Sequence, residues 1–225
     1  MSLLVIDTAL GLCTAAVAEQ GRVVARSLPM VRGHQEALAP MVEAIMADAG
    51  LTFAGLAAIG VTVGPGSFTG LRVGLAFAQG LGAALGRPVV GLSTLDALAA
   101  SVEPDLRPVA AVVDARRGQV YARLFGAAGT PLDEAAATPL TELAERLQGV
   151  GSGGRLVGTG ADLAAEVASG WEPVTLAGPT PGALLTLTAR ALADGDAAAP
   201  RPQYLRAPDA TPPTRLPGQP RPARA

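Results

Sequence analysis

Apolar residues at the start of the chain fall in short runs, not at helical spacing. Residues 3–6 form a run that ends at Asp7, and residues 14–18 follow after a loop. Gln20-Gly21 then supplies a hairpin turn, with glycine free to take positive φ, before residues 23–28. The pattern predicts a three-stranded antiparallel meander. After Gly33-His34 the period changes. Leu38, Met41, Val42, Ile45, Met46 and Ala49 recur on one helix face, and Gly50 ends that helix. Residues 57–63 predict a buried strand, followed by G-P-G-S-F-T-G and a helix reaching about Leu85, with Gly86 as its C-terminal cap. Residues 88–91 predict a further strand, and Ser93 or Thr94 caps a helix into Ala100.

Beyond Glu103-Pro104 the opening pattern recurs. Residues 109–113 run into Asp114, a short loop follows, and residues 120–125 alternate like a strand. Asp7 and Asp114 thus end equivalent strands. Leu156-Val157 enters a Gly158-Thr159-Gly160 turn before a helix near residues 162–168, and a last amphipathic helix covers about 183–193. The organisation predicted is an N-terminal lobe over 1–103, a C-terminal lobe over 104–206, and a Pro/Arg-rich tail over 207–225 with too few apolar residues to fold. Strands feeding helices, with a meander opening each half, predict an α/β fold of two mixed-sheet lobes with flanking helices. This plan is similar to that of the actin-like, RNase H-like superfamily. A doubly wound nucleotide fold needs G-x-G-x-x-G after its first strand, and the chain lacks it there.

Composition changes this picture little. The 225 residues are 49% hydrophobic, enough for a packed core, and no apolar run is read as reaching the roughly 18–20 residues of a membrane span. The opening M-S-L-L-V-I-D has no basic leader, which argues against a signal peptide. A single cysteine, Cys13, excludes an intrachain disulfide and points to a reducing cytoplasm. The net charge of −2 gives no overall attraction to nucleic acid, but its distribution is uneven. From Arg201 onward five arginines face one acid, a local +4 that leaves −6 on the rest. All 17 basic residues are arginine, so mechanisms needing a phosphate-gripping or Schiff-base lysine are excluded.

The glycine loop is the strongest local signal. A strand running into Gly64-Pro65-Gly66-Ser67-Phe68-Thr69-Gly70 and then a helix is the usual way to present free N–H groups to an anion. Ser67 or Thr69 can cap the helix, and Arg72 in its first turn could grip a phosphate or carboxylate, although a cation there opposes the helix dipole. The bland alternative is capping and packing. Gly70, Gly74, Ala78 and Gly82 recur every four residues. Each helical glycine costs about 1 kcal/mol relative to alanine, so close approach by another element must offset the loss. That element lies either in the same chain or in a partner.

G-P-G-S-F-T-G-L-R-V-G, V-I-D-T, H-Q-E-A-L-A-P at 34–40, G-L-S-T-L-D-A-L at 91–98, D-A-R-R-G-Q-V-Y at 114–121 and P-Q-Y-L-R at 202–206 stand in an order and spacing that resemble the TsaB family. The resemblance covers the chain as far as Arg206. It implies a non-catalytic, actin-like paralogue of TsaD, the synthase that modifies the adenosine adjoining the tRNA anticodon. TsaD carries an H-x-x-x-H metal motif, and the matching positions here are Thr94 and Leu98, which cannot replace two imidazoles. No catalytic residue and no metal site are expected. The partners implied are a TsaD-like catalytic subunit, a TsaE-like ATPase, tRNA reached through the complex, and a second copy when the chain is isolated. A membrane is not among them. Gly66, Ser67, Phe68, Thr69, Gly70, Arg72, Val73, Gly74 and Ala78 are the expected partner interface. No cofactor is expected beyond ATP or ADP at that interface.

Three other candidates carry alternatives. Asp7, Thr8 and Asp114 stand where active actin-like kinases keep metal- and water-holding acids, and are read as a vestigial nucleotide site; the simpler role is turn capping. His34 lacks a second histidine for metal binding, and Cys13 with His34 shows no nucleophile elbow, so peptidase activity is rejected. Arg116 and Arg117 serve an ion pair, a partner or a solvated surface. The basic tail touches tRNA phosphates or merely solvates the chain end. Two function classes result: a non-catalytic assembly partner, and an independent actin-like ATPase or phosphotransferase.

Overall fold

A computed structural model describes residues 1–103, 105–195 and 200–206. The predicted meander is β1 (Ser2–Asp7), β2 (Leu12–Glu19) and β3 (Arg22–Pro29), with Gln20 and Gly21 both at positive φ in the hairpin turn. β1 pairs antiparallel with β2 and parallel with β4 (Leu56–Gly64), which pairs with β5 (Val89–Ser93) to give the order β3-β2-β1-β4-β5. β1 is central and covered on both faces, which is why it reads as a continuous apolar run. Leu4 and Ile6 pack beneath α1 (His34–Ala49) and α2 (Phe68–Leu85). Leu3 and Val5 face the other way, toward Leu184 and Leu185 of the last helix.

The second sheet repeats the first. β6 (Val109–Asp114) pairs antiparallel with β7 (Gln119–Phe125), and β7 with β8 (Ala136–Pro139). β6 also lies parallel to β9 (Arg155–Val157), which is followed by β10 (Glu172–Val174), giving β10-β9-β6-β7-β8. In each sheet the opening strand sits third and ends on an aspartate. This is the two-lobed α/β plan of the actin-like, RNase H-like superfamily. α3 (Thr94–Ala99) wedges between the sheets, placing Leu95 and Leu98 against Ala111, Val113 and Phe125. The second sheet's far face is covered by α4 (Leu140–Val150) and α5 (Ala161–Ala165).

Several elements depart from the sequence reading. β8, α4 and β10 were not predicted, and α5 is shorter than the helix expected near 162–168. α6 (Pro181–Ala193) follows the second sheet in the chain but packs on the first, where Gly60 lets Thr188 approach β4 so closely that a Cβ would meet its hydroxyl at 2.1 Å. Residues 200–204 also return to the first sheet, past the boundary expected at 103/104, before Leu205 and Arg206 reach the second. The tail over 207–225 lies outside the described residues.

Candidate functional site

The glycine loop joins β4 to α2 through a cis Gly64–Pro65 peptide, and its polar groups are turned inward. The Ser67 amide donates to the Ala9 carbonyl at 2.7 Å, and the Ser67 hydroxyl accepts from the Gly70 amide at 3.2 Å as the helix cap. Thr8 Oγ1 donates to the Gly70 carbonyl at 2.7 Å. Two amides that an anion cradle would use are therefore satisfied within the chain. Arg72 does not face a cradle either. Its guanidinium lies 3.8 Å above the Phe68 ring, and its Nε donates to the Tyr204 hydroxyl at 3.4 Å.

Gly66, Gly70, Gly74 and Ala78, expected at the partner interface, point into the chain itself. A Cβ on Gly66 would stand 2.3 Å from the Ala9 carbonyl oxygen, one on Gly70 2.0 Å from that of Thr8, and one on Gly74 2.5 Å from Thr8 Oγ1. Ala78 is fully buried, and Gly82 continues the stripe onto Val89. The missing side chains let α2 sink onto the end of β1 and the turn after it, so the close approach that offsets the helix-propensity loss is internal.

The opposite face of α2 is what remains open. Phe68 and Thr69 are exposed at its start, and Arg72, Val73, Ala76 and Phe77 continue along it. With Gln35 and Leu38 of α1 they line a groove of about 520 Å³. α2 is 18 residues long with a mean hydropathy of 1.2, and a third of it is buried. By length and composition alone it passes for a membrane span, as the core helix of a globular protein also does; Arg72 interrupts it, so the uncharged stretch is only 73–86. Apart from Thr69 and Arg72 this side of α2 is apolar, and among the described residues nothing covers it. Sequence reasoning named Ser67, Phe68, Thr69, Arg72 and Val73 here but missed Ala76, Phe77, Gln35 and Leu38. The i, i+4, i+8 series Thr69, Val73, Phe77 was the available signal. Tyr204, quoted only within a motif, stacks on Phe68 with ring centres 5.5 Å apart.

Asp7, Thr8 and Asp114 are all engaged inside the chain. Asp7 is fully buried; its Oδ1 accepts from Thr62 Oγ1 at 2.6 Å and from the Ala9 amide at 3.0 Å, while Oδ2 has no partner among the described residues. Gly178 closes over that oxygen, since a Cβ there would lie 3.3 Å from it. Burial raises the Asp7 carboxyl above the ordinary carboxylate range, against the opposing pull of Thr62, Ala9 and His34. Asp114 caps its turn by accepting from the Arg116 amide at 2.7 Å, and pairs with the Arg116 guanidinium at 3.3 Å. Cys13 is buried, and its thiol is pushed up to about 11 by burial and then by Asp7. His34 is buried, and among the described residues its Nε2 is unbonded, so that nitrogen holds neither Cys13 nor Asp7. Thr94 and Leu98 are both buried on α3.

Residues 28–170 match the family model described as TsaD, tRNA N6-adenosine threonylcarbamoyltransferase. An uncharacterized Mycobacterium tuberculosis protein is 44% identical over 123 residues, 53% of this chain and 57% of that protein. The Escherichia coli tRNA threonylcarbamoyladenosine biosynthesis protein TsaB is 37% identical over 123 residues, 54% of this chain and 53% of its own length. The chain thus spans about half the length of these sequence relatives. Among solved structures, YeaZ from Pseudomonas aeruginosa superposes with a TM-score of 0.80 at 30% identity, covering 91% of this chain and 99% of that one. A second Pseudomonas aeruginosa structure, described as an uncharacterized protein with similarity to peptidase YEAZ, gives 0.81 at 31% identity with the same coverage.

Proposed function

The chain belongs to the TsaB/YeaZ family, and from that membership we propose that it is a non-catalytic docking subunit in tRNA threonylcarbamoyladenosine synthesis. One observation carries the reading: the apolar outer face of α2, flanked by α1, is built like an interior surface and left open. In this reading a TsaD-like synthase lays its own helices into the groove and buries Phe68, Val73 and Phe77. Two isolated copies pair through the same face. The chemistry, the metal and the contact with tRNA belong to the synthase, a TsaE-like ATPase acts on the assembly, and the complex works in the cytoplasm. An ATP or ADP site, where one forms, is completed by the partner at the Ser67–Thr69 end of the interface.

The interior of the chain supports the non-catalytic part of the proposal. A thiol held near 11 is protonated at neutral pH, and the His34 nitrogen beside the core is not aimed at it by a hydrogen bond. A metal-holding aspartate of an active actin-like kinase would have to face the cleft, whereas Asp7 is sealed under Gly178. The test is reconstitution with the synthase, the ATPase and the threonylcarbamoyl-adenylate-forming enzyme. Loss of tRNA modification when only this chain is omitted supports the proposal. Full modification without it, or magnesium-dependent ATP turnover by the chain alone, defeats it.

A further inference from the structure

Residues 200–206 form a cord across the molecule with a fixed contact at nearly every step. Pro200 is buried, its carbonyl accepts from Gln79 Nε2 of α2 at 2.9 Å, and it lies against Gly91 of β5. The Gln203 amide donates to the Val63 carbonyl at the end of β4 at 2.7 Å. Gly64, at φ +119, allows this passage: a Cβ there would meet the Gln203 carbonyl oxygen at 2.7 Å. Tyr204 then stacks on Phe68 and accepts from Arg72. Leu205 enters the apolar cluster between the sheets, beside α3 and β6.

The cord ends on the second sheet. The Arg206 guanidinium donates to the Ala115 carbonyl at 3.0 Å and to Gln119 Oε1. Those two residues bracket the β6–β7 turn, in which Arg116, Arg117 and Gly118 all take positive φ. Left-handed backbone at two consecutive non-glycine residues is uncommon and persists only where the surroundings hold it. The turn is held by its own bonds, Ala115 N to Gln119 O at 3.0 Å and Gln119 N to Arg116 O at 3.2 Å, and by Arg206 from outside. The anchor is therefore a defined structure, not a loose loop.

We infer that residues 200–206 are a strap that fixes the open face of α2 to the second sheet, with Arg206 as its anchor and Tyr204 as a docking residue it delivers to that face. This rests on the docking reading above. Tyr204 and Phe68 are each about half exposed, at 48% and 54%, and together with the stacked Arg72 they extend the apolar groove at the start of α2. Arg72 is exposed and no bond of its terminal guanidinium nitrogens is seen among the described residues, so the partner surface that fits here is apolar with one carboxylate at its edge. A shift of one sheet against the other would pull on Arg206 and withdraw Tyr204.

Two measurements separate the strap from the docking reading. Hydrogen exchange on the isolated full chain, wild type against Arg206→Ala, needs no partner. Exchange over residues 66–73 rising about tenfold or more, with the denaturation midpoint of the whole chain little moved, supports the strap; unchanged exchange there overturns it. Titration of the TsaD-like synthase then reads the docking role. Tyr204→Ala is expected to weaken binding about tenfold, the equivalent of about 1.4 kcal/mol, with Tyr204→Phe close to wild type because the ring remains. Tyr204→Ala binding as tightly as wild type overturns the role given to Tyr204. If the wild-type chain does not bind the synthase, the docking reading and that role fall together, and the exchange result still decides the strap.

Discussion

Adding one methyl group to α2 should have opposite effects at Gly70 and Gly80. At Gly70 the new Cβ would stand 2.0 Å from the Thr8 carbonyl oxygen, so the helix and the turn after β1 must separate by about 1.4 Å to reach ordinary contact at about 3.4 Å. The obstructing atom is backbone and cannot rotate away. Overpacking of this kind costs about 1–3 kcal/mol. Separation also weakens the Thr8 Oγ1 to Gly70 O hydrogen bond, worth about 1 kcal/mol net. Against this, alanine gains at most about 1 kcal/mol of helix propensity, and less in the first turn. Gly70→Ala should therefore lose about 1–3 kcal/mol. At Gly80 nothing among the described residues lies within 4 Å of the new atom, so only the propensity term acts, and Gly80→Ala should gain about 0.5–1 kcal/mol. Urea denaturation followed by far-ultraviolet circular dichroism, with equal m-values, measures both. Gly70→Ala as stable as wild type would refute the internal use of the stripe.

The buried groups give two more predictions. Because its thiol is held near 11, Cys13 has about one thiolate in a thousand at pH 8, and a disulfide reagent should label it only after unfolding; rapid labelling of the native chain would contradict this. Asp7 prefers its proton in the folded state, so the native chain binds more protons than the unfolded one above the ordinary carboxylate range. Stability should fall as pH rises from there through the raised value, and Asp7→Asn, which keeps an oxygen for Thr62 and Ala9, should flatten that slope and raise the midpoint at pH 8. An unchanged slope in the variant would show that another group titrates.

Local chemistry was legible where neighbours in sequence determine it. The meander with its Gln20-Gly21 turn, the Ser67 cap, the Gly50 and Gly86 helix ends and the paired Asp7 and Asp114 could all be read from adjacent residues. The direction of the stripe could not. Four-residue spacing says that Gly70, Gly74 and Ala78 share a side of α2, but not whether that side meets Thr8 or another chain. The face that is open carries Thr69, Arg72 and Phe77 together, a mixed set that resembles ordinary surface until the groove they form with α1 is seen. Strands of three or four residues, such as β8 and β10, hold too few positions for a period to register. The return of α6 and residues 200–204 to the first sheet depends on contacts across more than a hundred residues, such as Gln79 with Pro200.

The central claim is that the open face of α2 receives a catalytic partner, and Ala76 tests it most directly. Ala76 is exposed, lines the groove, and lies outside the buried stripe. Glutamate is a good helix former, so Ala76→Glu should leave the denaturation midpoint within about 0.5 kcal/mol of wild type. In calorimetric titration against the TsaD-like synthase, a charge buried at the centre of an apolar contact should cost at least about 2 kcal/mol, or about thirtyfold in Kd. A folded Ala76→Glu variant that binds about thirtyfold or more weakly is the result predicted. One that binds with wild-type affinity would contradict the account.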